Sequence, residues 1–238
     1  TFAGYIGQYL ARYTPSGGLV WAKTFTGPAD SYVQVNNNGI YVDPSENIYV
    51  ANKFGPSFDV DPDAGTTILT ATGPDFETGF FKLNSSGALI WAKKFGGSTT
   101  GFSGTVTADP TGNLQVTSTF TGTADMDPGA GVTNLTAVNY KAIFLSKFDP
   151  AGNFISTRKL DGPASPAENI YQWNSYFKAN GKNVIELIVS GNYDLGDGVQ
   201  YYPSVNVIAC YDASNNLLWK EVMPYFSTGT FSQTGSNI

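Results

Sequence analysis

Apolar and polar residues alternate along this chain in short bursts separated by tight turns. Leu114-Gln115-Val116-Thr117-Ser118-Thr119-Phe120 alternates with a period of two, the pattern of a half-buried strand. Gly104-Thr105-Val106-Thr107-Ala108 before it, Ala142-Ile143-Phe144-Leu145-Ser146-Lys147-Phe148 after it, and the stretch from Phe154 to Leu160 read as three more strands. Asp109-Pro110-Thr111-Gly112-Asn113 and Asp149-Pro150-Ala151-Gly152-Asn153 punctuate them. Pro presets φ and Gly permits positive φ, so each of these is a turn. Four antiparallel strands, two such turns and one longer loop form the predicted unit.

The unit recurs. Phe58-Asp59-Val60-Asp61-Pro62-Asp63-Ala64-Gly65 returns as Ala124-Asp125-Met126-Asp127-Pro128-Gly129-Ala130-Gly131, a shift of 66 from 58 to 124. Asp43-Pro44-Ser45-Glu46-Asn47 returns as Asp109-Pro110-Thr111-Gly112-Asn113 at the same shift. Trp21, Trp91 and Trp219 share one place in the fourth strand, where the third copy has Ser156. A fixed period of this length marks an array of one supersecondary unit, and units that cannot bury both faces alone must stack. The sequence therefore predicts an all-β fold, a β-propeller of four-stranded antiparallel blades. One propeller region would span 1–238, with a partial blade at 1–27, blades at about 39–103, 104–162 and 170–224, and a partial strand at 225–238. The recurring Trp is expected to pack between blades. The strand count falls short of a closed ring, so the chain is expected to be a fragment of a larger protein or one member of an assembly.

Composition narrows the chemistry. Gly and Pro number 27 and 13, and charged residues are only 13%, which suits twisted strands and turns better than helices. Net charge is −6 with 13 Lys and Arg and no basic cluster, which disfavours a nucleic-acid partner. No apolar run approaches the length of a membrane-spanning helix. His is absent, which removes the usual general base, the commonest metal ligand and any Ser-His triad. Cys210 is the single Cys, so no disulfide forms within the chain.

Two sets of residues carry candidate chemistry. Asp59, Asp61 and Asp63, followed by Gly65, have the alternate-carboxylate spacing of an oxygen-rich calcium loop, and Asp125 and Asp127 repeat it with Gly129 in the third place. No Glu stands at the twelfth loop position, which is Thr70, so the same residues also read as Asx-turns that cap their own backbone. Calcium is the one cofactor the sequence suggests. Trp173 falls outside the repeat, beside Asn174 and Tyr176, and is the candidate ligand-binding aromatic. Asp75, Glu77 and Glu168 are the carboxylates an acid–base mechanism would use, and none sits in a recognisable motif.

Phe80-Phe81-Lys82-Leu83-Asn84-Ser85-Ser86-Gly87-Ala88-Leu89-Ile90-Trp91-Ala92-Lys93-Lys94-Phe95-Gly96-Gly97, with the Asp-Pro-x-Gly-Asn turns and the Asp loops, resembles the SBBP-type β-propeller repeats of bacterial exported proteins. The resemblance is strongest over 39–162. The last unit departs from it, with Cys210 in place of Lys82 and Lys147, and Tyr193-Asp194-Leu195-Gly196-Asp197-Gly198 as a degraded Asp loop. The resemblance implies an extracellular or cell-surface protein, often cargo of type IX secretion, with no catalytic residues. The expected function is a non-enzymatic recognition or display scaffold for a protein or glycan partner, or for the remaining blades of a larger chain. The alternatives are a quinoprotein-like propeller enzyme and a purely structural spacer.

Overall fold

The computed structural model describes residues 8–27, 32–34, 39–72, 76–97, 104–109, 111–138, 141–163, 169–177 and 182–224, with the backbone alone for 32, 34 and 169–177. All regular structure among them is β. A hairpin comes first, β1 (Gln8–Tyr13) with β2 (Leu19–Phe25). The second sheet takes β3 (Tyr32–Gln34) and β4 (Ile40–Val42) on one edge of β5 (Ile48–Gly55). The hairpin β6 (Ser57–Asp59) and β7 (Ile68–Thr70) interrupts it, and β8 (Glu77–Leu83) and β9 (Leu89–Lys94) complete it. The sheet thus includes Tyr32–Gln34, which precede residue 39, where the sequence period begins.

After β10 (Gly96–Gly97), the third sheet runs β11 (Thr105–Ala108), β12 (Leu114–Phe120), β15 (Ala142–Phe148) and β16 (Phe154–Leu160) in order. The hairpin β13 (Thr123–Asp125) and β14 (Asn134–Thr136) lies between β12 and β15 in sequence. The fourth sheet is β17 (Asn169–Phe177), β18 (Asn183–Asp194), β19 (Val199–Tyr211) and β20 (Leu217–Met223), in which the corresponding hairpin is absorbed into the long central strands. Every pairing is antiparallel. β11 lies near β4 and β5 of the second sheet and near β17 of the fourth.

The four sheets enclose three apolar cores, one at each junction. Leu10, Trp21 and Phe25 of the hairpin meet Val50, Phe54, Phe81 and Leu83 of the second sheet. Tyr49, Phe80 and Phe95 of the second sheet meet Val116, Phe144 and Phe148 of the third, with ring centroids 4.6 Å apart for Phe80–Phe148 and Phe95–Phe144. Ile143, Leu145 and Leu160 of the third sheet meet Ile185, Leu187, Val207 and Tyr211 of the fourth. The central strands of the second and third sheets are therefore buried on both faces. This explains why Gln115, Thr117 and Ser118 are buried although the strand alternates in polarity.

Six turns share one design. Thr14, Asp43, Asn84, Asp109, Asp149 and Asp212 each accept the N–H of the residue three ahead and donate their own N–H to the carbonyl four ahead. In the four outer turns the ladder slips by one residue at the turn, as between Lys82 and Leu83 or Lys147 and Phe148. That is a hairpin closed by a bulge with a residue at positive φ.

These outer turns join the sheets. The Trp21 indole N–H donates to the Ser85 carbonyl at 3.1 Å, and the Trp91 indole donates to the Pro150 carbonyl at 3.4 Å. Each acceptor is the second residue of the next sheet's turn. A Cβ on Gly87 would lie 3.3 Å from the Trp21 ring, and one on Gly152 would lie 3.2 Å from the Trp91 ring. Both glycines also have φ of +81°, so the turn and the overlying indole together exclude a side chain.

The third junction solves the same problem with different residues. Ser156 stands where Trp91 would be, and the equivalent carbonyl, that of Ala213, accepts from the Lys147 ammonium instead. The space left by the missing indole is filled from the other side. Asn215 replaces the glycine at φ +62°, is 2% exposed, and donates through Nδ2 to the Leu145 carbonyl at 3.2 Å. Arg158 seals the joint by donating to the Asn215 carbonyl at 2.7 Å.

The two solutions are mutually exclusive, which generates a test. Ser156→Trp alone places an indole against Asn215 and is expected to lower stability by about 1–3 kcal/mol through overpacking. Adding Asn215→Gly should return at least about 1 kcal/mol of that loss as coupling between the sites. Urea denaturation of the two single variants and the double variant measures the cycle. Additive effects would show that the two positions do not meet.

Candidate functional site

A cleft of about 440 Å³ opens between the N-terminal hairpin and the second sheet. Leu10 and Trp21 form one wall and Ile40, Val42 and Ile48 the other. Strand alternation puts these residues there. Leu10 and Trp21 point from β1 and β2 toward the second sheet, and the short strand β4 leaves Ile40 and Val42 about half exposed at its mouth, at 45% and 54%.

A charged pair spans the rim. Arg12 Nη2 donates to Glu46 Oε1 at 2.9 Å, and Arg12 Nη1 donates to the Ser85 carbonyl at 3.0 Å, the same acceptor that Trp21 uses. Glu46 has φ of +62°, at the turn position that Gly112 fills in the next sheet with φ of +85°. A non-glycine residue held left-handed costs about 1–2 kcal/mol. An exposed ion pair returns about 0.2–1 kcal/mol. The pair alone therefore does not offset the strain, and strained, charged residues beside a cleft mark a candidate site. Sequence reasoning passed over Arg12 and Glu46. The available signal was the one non-glycine in the repeated Asp-Pro-x-Gly-Asn pattern.

The Asp loops hold their own backbone. Asp59 Oδ1 accepts from the N–H groups of Asp61 and Thr67, and Asp125 Oδ1 accepts from those of Asp127 and Thr133. Asp61 Oδ1 accepts from the Asp63 N–H, and Asp127 Oδ1 from the Gly129 N–H. The second oxygens of Asp61 and Asp127 fold over Gly65 and Gly131, where a Cβ would sit 2.2 Å away. Asp63 pairs with Lys23 of the hairpin. These are Asx-turns that shape a hairpin, and among the described residues no group of three or more acidic, Cys or His side chains converges on a metal position.

The loop backbone then docks on the preceding sheet. Asp59 pairs with Thr26, Asp125 with Gly96, and Asp194 with Asp161, the same contact at three junctions. Asp194 keeps the capping role in the degraded loop, accepting from Gly196 at 2.7 Å and Gly198 at 3.0 Å. The Asp repeat thus clamps one end of each junction while the outer turns clamp the other.

Trp173 occupies the bulge of β17, skipped between the Gln172–Leu187 and Asn174–Glu186 pairs, and its side chain lies outside the described residues. Asp75 and Glu168 lie outside them as well. Glu77 is buried, accepts from the Thr72 N–H at 2.6 Å and pairs with Lys94 at 2.7 Å. Lys141 is buried and held below the usual lysine range, by desolvation first and by the nearby Lys53 charge second. The side-chain amides of Asn52 and Gln115 are fully buried with no hydrogen-bond partner among the described residues.

The turn carboxylates are tuned by their caps. Asp149 lies below its ordinary 3.8 because the Asn153 N–H donates to it, with the Asn153 side chain second. For Asp43, Asp109 and Asp212 burial pulls upward, and the hydrogen bonds from Asn47, from Thr111 and Asn113, and from Asn216 outweigh it.

No protein-family model matches the chain, and no curated protein matches it. Among solved structures, the chain is similar to a protein of unknown function from Bacteroides caccae, at 12% identity and a TM-score of 0.35 over 88% of this chain and 73% of that one. A likeness at that level carries no argument about fold or activity.

Two outcomes follow from this geometry. Carboxylates depressed in the folded state bind protons more readily once unfolded, so their stabilisation is complete above the unfolded value and fades as pH falls through and below it. Melting temperature should therefore drop steeply below about pH 4, and Asp109→Asn should flatten that drop, because Asn84 already caps Ser86 and Ala88 without titrating. Thermal melts from pH 2 to 7 provide the check. For the loops, Asp59→Ala should cost about 1–3 kcal/mol by stripping two N–H groups of their acceptor, equally in chelator and in several millimolar calcium. A melting temperature that rises with calcium in the wild type and not in Asp61→Asn would show a metal loop instead.

Proposed function

We propose that this chain is part of an exported, SBBP-like β-propeller that acts as a non-catalytic recognition scaffold, with the cleft beside Trp21 as its ligand site. The forward-directed junctions and the series β4, β11, β17 support a propeller arrangement, since stacked sheets with adjoining first strands are how blades meet. The observation that carries the functional reading is the strained Glu46 paired with Arg12 over an apolar cleft. Apolar walls with a few oriented polar groups at the mouth suit a glycan ring or a short peptide: apolar surface packs on the Leu10, Ile40 and Val42 walls, and hydroxyl or amide groups pair with Arg12 and Glu46. Among the described residues, the carboxylates of the Asp turns and Asp loops serve turns and clamps and Glu77 pairs with Lys94, which supports a scaffold over an acid–base enzyme.

Glu46→Gly separates binding from stability. It removes the left-handed strain and should leave the melting temperature unchanged or raised by a few degrees. It should also weaken ligand binding about tenfold or more, as should Arg12→Ala. A panel of neutral and acidic oligosaccharides and short peptides, followed by tryptophan fluorescence and saturation-transfer NMR on the wild type and both variants, provides the test. Equal binding by wild type and Glu46→Gly would remove the cleft from consideration. Quinone absorbance in the purified protein would favour the enzyme reading.

A further inference from the structure

Buried polar groups normally find a partner, and the junction between the third and fourth sheets holds a set that does not. Both polar side-chain atoms of Gln115, the Thr117 hydroxyl and Asn215 Oδ1 have no hydrogen-bond partner among the described residues. Gln115 and Thr117 are 0% exposed and Asn215 is 2% exposed.

Alternation and register bring these atoms together. Leu114 and Val116 of β12 pack on the second sheet, so Gln115 and Thr117 face the fourth. Their neighbours on β15 share that face. Thr117 pairs with Leu145, which packs on the fourth sheet, and Gln115 pairs with Lys147, whose ammonium donates to the Ala213 carbonyl there. Asn215 arrives from the fourth sheet and donates through Nδ2 to the Leu145 carbonyl at 3.2 Å. Neighbouring strands lie about 4.8 Å apart, so Asn215 Oδ1 comes down beside the strand that carries Thr117 and Gln115.

The second sheet shows what normally stands in this place. Tyr41, Tyr49, Lys82 and Trp91 form one row across it, on the face toward the third sheet. The rings fill the joint, with centroids 6.1 Å apart for Tyr41–Tyr49 and 6.3 Å for Tyr49–Trp91, and the Tyr49 hydroxyl donates to Asp43 at 3.1 Å. The same row of the third sheet is Thr107, Gln115, Lys147 and Ser156. Asn215 answers for the indole. The facing row does not grow to replace the two tyrosine rings. Leu114, Phe148 and Phe154 of the third sheet correspond to Asn183, Tyr211 and Leu217 of the fourth, and the Tyr211 hydroxyl donates to the Leu195 carbonyl at 2.8 Å.

The donor set selects the occupant. A side-chain amide, a hydroxyl and a second amide oxygen offer both donors and acceptors, which is what a water molecule making about three hydrogen bonds satisfies. The Lys147 ammonium on the same face disfavours a metal cation, and enclosure excludes a larger ligand. We propose that this joint is a water site, with one or more ordered waters held by Gln115, Thr117 and Asn215 as part of the folded structure. The site shares no residue with the cleft and stands independently of its reading.

Magnetic relaxation dispersion of the water oxygen counts waters that stay in a protein longer than it tumbles. The wild type is compared with Gln115→Met and with Gln115→Met/Thr117→Val, which keep the shape and remove the polar atoms. Each variant should lose the signal of at least one long-lived water, and its melting temperature should fall by a few degrees because the water has lost a partner. In a dry joint the same changes would remove an unmet desolvation cost and raise the melting temperature. Val132→Ser, at an exposed site elsewhere, should leave both readings unchanged. Circular dichroism confirms that each variant is folded. The wild type alone supplies a second reading, since Overhauser cross-peaks are expected between water and the Gln115 side-chain amide protons. Absent cross-peaks, an unchanged relaxation amplitude in the variants, or a melting temperature that rises in them would each overturn the proposal.

Discussion

Neighbouring sheets in this protein depend on one carbonyl per junction. The second residue of each outer turn, Ser85, Pro150 or Ala213, presents its oxygen to a donor on the preceding sheet. That oxygen points the right way only because the first residue of the turn, Asn84, Asp149 or Asp212, ties down the N–H groups two and four residues ahead with its own side chain. A short-range cap thus sets a long-range contact. The aromatic cores add most of the apolar burial, but the caps and carbonyls fix where along the strand direction those cores engage.

The opposite end of each junction is held by backbone alone. The Asp hairpins dock on the exit of the preceding sheet through Thr26, Gly96 and Asp161, so each pair of sheets is pinned at two separated points. Two pins and a packed core leave little freedom to slide or rotate. The rigid frame is what permits a strained residue such as Glu46 to persist beside a half-open cleft.

The sequence revealed the strands and turns because both follow local rules. Alternation in Leu114 to Phe120 and Asp-Pro-x-Gly-Asn at 109–113 specify their own conformation. The recurrence of Trp21 and Trp91 also foretold a contact between sheets. The Asp loops were ambiguous for a physical reason. Carboxylates spaced two apart serve either a cation or successive backbone N–H groups, and the spacing is the same for both. The pairing of Arg12 with Glu46 joins residues 34 apart in sequence through a fold that alternation alone does not position. Tyr32–Gln34 joined the second sheet because β5 is long enough to pair beyond β4, which the repeat arithmetic does not encode.

The junction between the third and fourth sheets has a consequence for how such arrays change over time. At the first two junctions the donor is an indole and the receiving turn has a bare glycine, so those joints are interchangeable in principle. At the third, Ser156 and Asn215 are a matched pair that fits neither partner of the common type. Duplication, deletion or exchange of a unit across that joint would set an indole against an asparagine side chain, or leave a hole between a serine and a glycine. The odd joint therefore works like a key cut to one lock. A unit moved across that joint would need both residues of the pair to move with it.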